Sequence, residues 1–454
     1  MIVMKFGGTS VESAEAIARV AGIVKERLAR KPVVVVSAMG KTTNKLLAIA
    51  NAAVEGKREQ ALGLLEDLRA FHCKESEGLG VDAEVAAHFD ELAELIKGIV
   101  VMGELTPRAT DAVSAFGERL SSIIVTACFR RAGLSAVHLD ARSVIVTDRR
   151  HMQAAPLFAE TYARLEAVVP SLAAKHVVVM GGFIASTEDG VTSTLGRGGS
   201  DYTASIVGAG IDAEEIQIWT DVDGMLTADP TLLEGVYRVK QCSFAEAAEL
   251  AYFGAKVLHP ATVLPAIEKN IPVRILNSRR PHVEGTLITA AEPAGTSMHP
   301  SLIRSIACKR NITLVNIVST RMLMAHGFLR RIFEIFDRYE TPVDMLATSE
   351  VSVSLTIDNT RSLPAIRSEI EQFAEVSVEE NQAIVSLVGE NIRYTPGVSA
   401  RVFTALKEIN VRMISQGASR LNISVVVAAA DLKSAVESLH REFFTNPDTA
   451  AFEK

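Results

Sequence analysis

Val33-Val34-Val35-Val36 is a run of four β-branched residues with no polar interruption. Such a run suits a strand buried on both faces, the situation inside a parallel sheet covered by helices. Just before it, Ile17, Val20, Val24 and Leu28 recur at helical spacing, with Ser10 or Ser13 placed to cap the helix. Further along, Val177–Met180, Ile216–Trp219 and Val273–Leu276 repeat the apolar run, and helical patterns such as Phe244–Tyr252 separate most of them. Residues 51–99 are rich in Ala, Glu and Leu and read as mostly helical. This alternation predicts an α/β domain built on a largely parallel sheet sandwiched by helices.

The alternation stops at Ala290–Pro300, which has two prolines, a glycine and no apolar periodicity and reads as a linker. An internal repeat follows it. Leu314–Ile317 is a short apolar strand, Gly327 opens an amphipathic helix, and residues 343–350 and 351–357 are two more strands. The pattern returns with a strand at Ile384–Leu387, a helix opened by Gly397, and strands at 411–417 and 422–427. Leu314 to Ile384 and Gly327 to Gly397 are both offsets of 70, and Phe333 and Phe403 stand in the same register. Two βαββ units of this size predict paired α+β modules. The expected division is 1–290, 301–380 and 381–454, with the first strand of the last module drawn from 301–312.

A chain of 454 residues with net charge -7 and 22% charged residues has room for several cores but no concentrated basic face, which excludes nucleic acid as the expected partner. No run of 18 apolar residues occurs, and the start lacks the zones of a signal peptide, so a cytoplasmic location without a membrane is expected. Cys73, Cys128, Cys242 and Cys308 are far apart and form no C-x-x-C, so buried free thiols are expected. The ten histidines show no metal-binding spacing, and no metal site made of protein side chains is expected.

Chemistry concentrates in a few turns. In Lys5-Phe6-Gly7-Gly8-Thr9-Ser10 a strand feeds a lysine, two glycines and then hydroxyls at a helix start, a pattern suited to phosphate. Gly40-Lys41-Thr42 imitates the end of a Walker A loop, but the required earlier glycine is Val35 inside a strand, so it is not a P-loop. The Ser37–Asn44 loop nevertheless ends a buried strand, where α/β ligand sites gather. Thr194-Leu195-Gly196-Arg197-Gly198-Gly199-Ser200-Asp201 frames an arginine with glycines, so that it can fork onto a carboxylate or phosphate; a plain capped turn is the alternative. Gly181-Gly182-Phe183 makes a second glycine-rich mouth. Thr220, Asp221 and Asp223 after the Ile216–Trp219 strand suit a nucleotide or its Mg²⁺, and equally an ordinary turn. Lys256, in Phe253-Gly254-Ala255-Lys256-Val257, reads as a phosphate ligand or as a snorkelling lysine, and Glu118 alone reads as a surface carboxylate.

Taken in order, K-F-G-G-T-S, the Thr43-Asn44 loop, F-G-E at Glu118, T-L-G-R-G-G-S-D, W-T-D-V-D-G and F-G-A-K-V-L-H-P resemble the aspartate kinase branch of the amino-acid kinase family. The C-terminal repeat resembles a pair of βαββαβ ACT modules, the amino-acid sensors of that family. The resemblance covers nearly the whole chain. It implies transfer of the γ-phosphoryl group of ATP, with Mg²⁺, to the β-carboxylate of L-aspartate, the first step toward lysine, threonine and methionine. It assigns Lys5, Gly8 and Asp201 to catalysis. Thr43, Glu118, Phe183, Arg197 and Ser200 would hold aspartate, and Lys5, Gly7, Gly8, Thr220, Asp221, Lys256 and Val257 would hold ATP. A feedback effector, lysine or alternatively threonine, would sit at Met322, Met324, Gly327, Phe328, Leu329, Val343, Asp344, Ser349 and Glu350. Association into a homodimer or larger oligomer through the ACT modules is also implied. The chemistry is consistent: with a pKa of about 3.9 the substrate carboxylate is already a nucleophile at neutral pH and needs no general base.

Leu226 and Thr231 stand where the family often has tyrosine and arginine beside the nucleotide, and Met324 where lysine-sensitive relatives can carry histidine. The alternatives are a catalytically dead sensor of the same fold, against which Lys5, Arg197, Asp201 and Lys256 count, and a kinase of another small carboxylate.

Overall fold

The computed structural model describes residues 1–254, 260–290, 303–319 and 326–454. Lys256, Val257, Met322 and Met324 therefore lie outside the described residues. Two compact units divide the chain: Met1–Met225 with Val257–Ala291, and Leu226–Lys256 with Glu292–Lys454.

The first unit is built on the sheet that the valine run predicts. Its strands lie in the order Thr286–Thr289, Val273–Asn277, Glu215–Thr220, Ile2–Phe6, Pro32–Val36, Val177–Gly181 and Ala136–His138. All of these pairings are parallel except that of Thr286–Thr289 with its neighbour. Every residue of Ile2–Phe6, Pro32–Val36 and Val177–Gly181 is buried, as a sheet covered on both faces requires. The helix Ala14–Lys25 is capped by Ser13, whose hydroxyl accepts from the Ala16 N–H at 3.2 Å. Ser10, the other candidate cap, instead pairs with the Ser278 hydroxyl at 2.8 Å. Residues 51–99 are mostly helical, within Thr42–Val54, Arg58–Glu75 and Asp82–Met102. The helical stretch Pro107–Arg131 has the length and apolarity of a membrane span, but 83% of its most apolar window is buried in the fold, as in the core helix of a globular protein.

In the second unit a single sheet runs in the order Met345–Thr348, Ser352–Ile357, Ile303–Val318, Glu375–Gly389, Asn422–Ala428 and Val411–Gln416. The two central strands, of 16 and 15 residues, pair antiparallel along their length, with bulges near Lys309–Leu314. Ile303–Lys309 faces Ile384–Gly389, while Leu314–Val318 lies between Ser352–Ile357 and Glu375–Glu379. The two α+β repeats thus share their central strands, and Glu375–Gly389 runs unbroken through the expected border at 380/381.

The division at residue 290 also needs correction, because Leu226–Lys256 belongs to the second unit. Its bonds are specific. Arg238–Val239 pairs with Phe452–Glu453, Thr227 Oγ1 meets His440 Nε2 at 2.9 Å, and Glu249 accepts from Ser419 and Asn422 at 2.7 and 2.6 Å. These partners are more than 150 residues away in sequence, so local pattern could not reveal them. All four cysteines are free, but of the expected buried thiols only Cys242 is buried: Cys73 is exposed, and Cys128 and Cys308 are intermediate.

Candidate active site

Parallel strands end with their carboxyl edges together, and the functional turns of the first unit gather at that edge. Ile2–Phe6 lies between Pro32–Val36 and Glu215–Thr220. The Gly7-Gly8 turn therefore leaves the sheet between the Ser37–Thr43 loop on one side and the Thr220–Gly224 turn on the other. Backbone bonds fix these exits: Gly7 N–H to Trp219 O at 3.1 Å, Gly40 N–H to Gly8 O at 3.0 Å, and Gly182 N–H to Val36 O at 2.8 Å. The Gly7 amide is thus committed to the sheet edge. A Cβ at Gly8 would lie 2.8 Å from Gly40 O and 2.9 Å from Ala38 O, so only glycine lets the two loops close up.

A cavity of about 320 Å³ opens here, lined among others by Lys5, Gly8, Thr43, Glu118, Ser200 and Asp201. Phe183 completes the set of expected residues on its wall. It has φ 62°, a conformation unusual for a side chain of its size, and its N–H donates to Thr203 Oγ1 at 2.9 Å. The cavity also takes in the first turn of the helix Gly199–Gly210, whose unsatisfied N–H groups favour an anion. Ser37, Ala38 and Gly40 line it too, although only their loop, and not the individual residues, could be singled out from sequence.

Charge in the cavity is arranged in two ways. Lys5 Nζ stands 2.7 Å from Asp201 Oδ1, an ion pair with both side chains mostly buried. Asp201 is therefore more than a helix cap, and the cap position itself belongs to Gly198 in left-handed conformation. Glu118, in the first turn of the helix Phe116–Arg131, is 4% exposed rather than on the surface. Its Oε1 accepts from the Ala38 N–H at 3.1 Å, while the buried Oε2 has no hydrogen-bond partner among the described residues. Burial pushes its carboxyl up from 4.5 to about 8, against the smaller pull of backbone N–H groups. A cationic ligand placed beside it would reverse that shift.

Arg197 differs from the others: it is exposed and absent from the cavity lining. Among the described residues its guanidinium makes no ion pair with a carboxylate. On the other side of Gly7, Thr220 O accepts from Ser278, and Asp223 is taken by Asn277 at 2.8 Å and by Arg280. Asp221 is exposed and, among the described residues, accepts only from the Thr220 hydroxyl, at 3.2 Å. In the second unit Asp344 is engaged by Lys309 Nζ at 2.6 Å, and Lys309 also reaches Asp358 at 2.8 Å. Gly327 (φ 83°) caps the helix Phe328–Arg338, Leu329 is partly exposed, Val343 is half-buried, and Ser349 and Glu350 are exposed. Thr231 is tied to Asp229 at 2.7 Å, and Leu226 O accepts from Ser305 Oγ at 2.7 Å.

Fold and site geometry define an α/β unit with an anion-accepting cavity at the carboxyl edge of a parallel sheet, and a second, α+β unit built on its own antiparallel sheet, and comparison with known proteins assigns them to a family. The profile of the Amino acid kinase family matches residues 1–277, and an ACT domain profile matches residues 385–443. Lysine-sensitive aspartokinase 3 of Escherichia coli is 37% identical over 98% of this chain and 99% of its own length. Chloroplastic aspartokinase 1 of Arabidopsis thaliana is 40% identical over 98% of this chain and 80% of its own length. The crystal structure of E. coli aspartokinase III in complex with lysine and aspartate superposes with TM-score 0.84 at 36% identity, covering 98% of this chain and 99% of that one. The R-state structure of the same enzyme, with aspartate and ADP, gives 0.83 at 35% identity, covering 98% of this chain and 100% of that one. The chain belongs to the amino acid kinase family and, within it, to the aspartokinases.

Proposed function

We propose that this protein phosphorylates the β-carboxylate of L-aspartate with ATP, giving 4-phospho-L-aspartate, and that an amino acid, most suitably lysine, inhibits it through the second unit. The observation that carries the reading is Glu118: a buried carboxylate on a cavity wall, one oxygen without a partner, a short way from a helix N-terminus. An α-amino acid matches it, ammonium to Glu118 and a carboxylate to the Ser200 and Asp201 amides, the Ser200 hydroxyl and Arg197, the Gly199 amide being committed to Gly196 O. Thr43 and Phe183 shape the same wall. The second carboxylate then faces Lys5 and Gly8, where the phosphoryl group would arrive. ATP would lie across Thr220 and Asp221, on the other side of the Gly7-Gly8 turn, with Lys256 and Val257 contributing as the family resemblance implies.

Lys5 supplies charge where it is needed most, on the phosphoryl group in transfer, and Asp201 holds the ammonium in place. The substrate carboxylate attacks the γ-phosphorus, the bond to the β–γ bridging oxygen breaks, and ADP leaves with that electron pair; no proton has to move. Mg²⁺ suits this site as an ion carried by ATP. Asp221, exposed, would be the carboxylate that holds the ion, which would offset the charge of the triphosphate.

The exposed apolar residues Leu329, Phe333, Leu346 and Ile414 of the second unit favour self-association there, hence a homodimer or larger assembly. Release of acyl phosphate trapped by hydroxylamine, with aspartate against glutamate and with lysine against threonine, tests the reading. Turnover of aspartate alone, lowered by lysine, is expected. Equal turnover of glutamate would overturn the substrate, and inhibition by threonine alone would overturn the effector.

A further inference from the structure

Asp111 is 1% exposed and had no signal in the sequence, yet it is among the most heavily engaged side chains in the first unit. It stands on the short helix Pro107–Ser114, which starts at the Thr106 cap. Its Oδ1 accepts from the Thr194 hydroxyl at 2.6 Å, both its oxygens lie 3.0 Å from the Met152 N–H, and its Oδ2 meets His151 Nδ1 at 2.7 Å. A charge buried this deeply is costly unless donors surround it, and here they do.

Every one of these donors lies on a segment that supports the Gly196–Gly199 loop. Met152 has φ 72°, a left-handed conformation that a methionine adopts only when held there. Its carbonyl oxygen is 3.0 Å from where a Cβ of Gly196 would be, so this strained turn is the surface on which the loop rests. The Ala154 N–H donates to Thr194 O at 3.0 Å, closing the same turn onto the strand Thr192–Thr194. Arg197 comes three residues after Thr194. With its own side chain in solvent, its aim is set by where the backbone is rooted.

We propose that Asp111 is a positioning residue for aspartate binding, which pins Thr194 and the His151–Met152 turn together and so fixes the root of the loop that carries Arg197. This rests on the reading above that the loop binds the substrate. Thr194→Val keeps the side-chain shape and removes the hydroxyl donor, whereas Thr194→Ser keeps the donor. In the full-length enzyme, Thr194→Val is expected to raise KM for aspartate about tenfold, below the ~10²-fold that a misplacement of one ångström can cost, with KM for ATP little changed. Thr194→Ser is expected to restore the aspartate KM.

Arg197→Ala and the double variant complete a cycle. If Asp111 acts through Arg197, Thr194→Val adds little once the arginine is gone. Full multiplication of the two effects would mean a general structural role and would overturn the proposal. So would an unchanged aspartate KM in Thr194→Val while Arg197→Ala raises it, or equal damage from valine and serine. An Arg197→Ala variant with normal aspartate KM would instead overturn the substrate reading of the loop.

Discussion

Glu118, buried, and Asp344, half-buried, are both carboxylates expected to meet an ammonium group, and the two units treat them differently. Each keeps one oxygen without a hydrogen bond among the described residues, Glu118 Oε2 and Asp344 Oδ2, and in the first unit burial raises the Glu118 carboxyl to about 8. In the second, Lys309 already sits 2.6 Å from Asp344, and the ring of Tyr252 lies beneath the same ammonium at 5.7 Å. Burial raises the Asp344 carboxyl, while the Lys309 hydrogen bond opposes the shift. The Lys309 ammonium is raised: burial alone would lower it, but Asp344 and Asp358 outweigh that. A cation reaching Glu118 relieves a penalty that folding has already imposed, whereas one reaching Asp344 must share it with a resident lysine or displace that lysine. Tight, obligatory recognition fits the first arrangement and adjustable recognition fits the second.

The largest effect expected falls on neither carboxylate but on Lys5, which lines the same cavity as Glu118. Lys5→Ala should lower kcat by about 10²–10³-fold, the range for loss of one group that stabilises transition-state charge. Steady-state kinetics on the folded variant decide this, and near-normal turnover would remove Lys5 from the chemistry.

Glu118→Gln should raise KM for aspartate roughly 5–150-fold, as for loss of a buried charged hydrogen bond worth ~1–3 kcal/mol. It also breaks the comparison in a second way. Below about pH 8 Glu118 is largely protonated in the free protein, so binding the substrate ammonium should expel a proton. Calorimetry at neutral pH in buffers of different ionisation enthalpy should find that release in the wild type and lose it in Glu118→Gln. No release in the wild type would mean that the ammonium binds elsewhere.

A smaller change is expected in the second unit. Lys309→Met frees Asp344 and should tighten lysine binding by roughly three- to tenfold, ~0.7–1.4 kcal/mol. Asp344→Asn should weaken it. Weaker binding in Lys309→Met would make Lys309 a ligand rather than a competitor, and indifference to Asp344→Asn would move the effector site.

Stability should respond to pH as well. The folded-state value of Glu118 lies above its ordinary 4.5, so its stabilising contribution is complete below about 4.5 and is lost as pH rises through about 8. Melting curves should therefore show wild type losing ground to Glu118→Gln between about pH 5 and pH 9, and saturating aspartate should reduce the difference. Parallel curves would show that the carboxyl is not strained by burial.

Much of this was legible in the sequence, for a local reason. Four β-branched residues in a row can hardly be anything but a buried strand, and glycines beside Lys5 and Asp201 declare a close approach of backbone to ligand. The repeat at an offset of 70 likewise announced two α+β units. Reading failed where meaning depends on the environment. Glu118 alone looks like a surface carboxylate, and only its place under Ala38 makes it a buried one. Asp111 sits in an ordinary helical stretch, and its donors come from residues 40 to 83 positions away.

By itself, then, the sequence determined the parallel sheet, the glycine turns at its carboxyl edge and the doubled C-terminal unit, because periodicity and backbone chemistry act over a few residues. The tertiary structure alone decided that Leu226–Lys256 packs with the second unit, that the repeats share their two long strands, and that the buried Glu118 meets only a backbone N–H among the described residues while the half-buried Asp344 meets a lysine. Burial and ion pairing depend on residues brought together from far along the chain, and no local pattern records them.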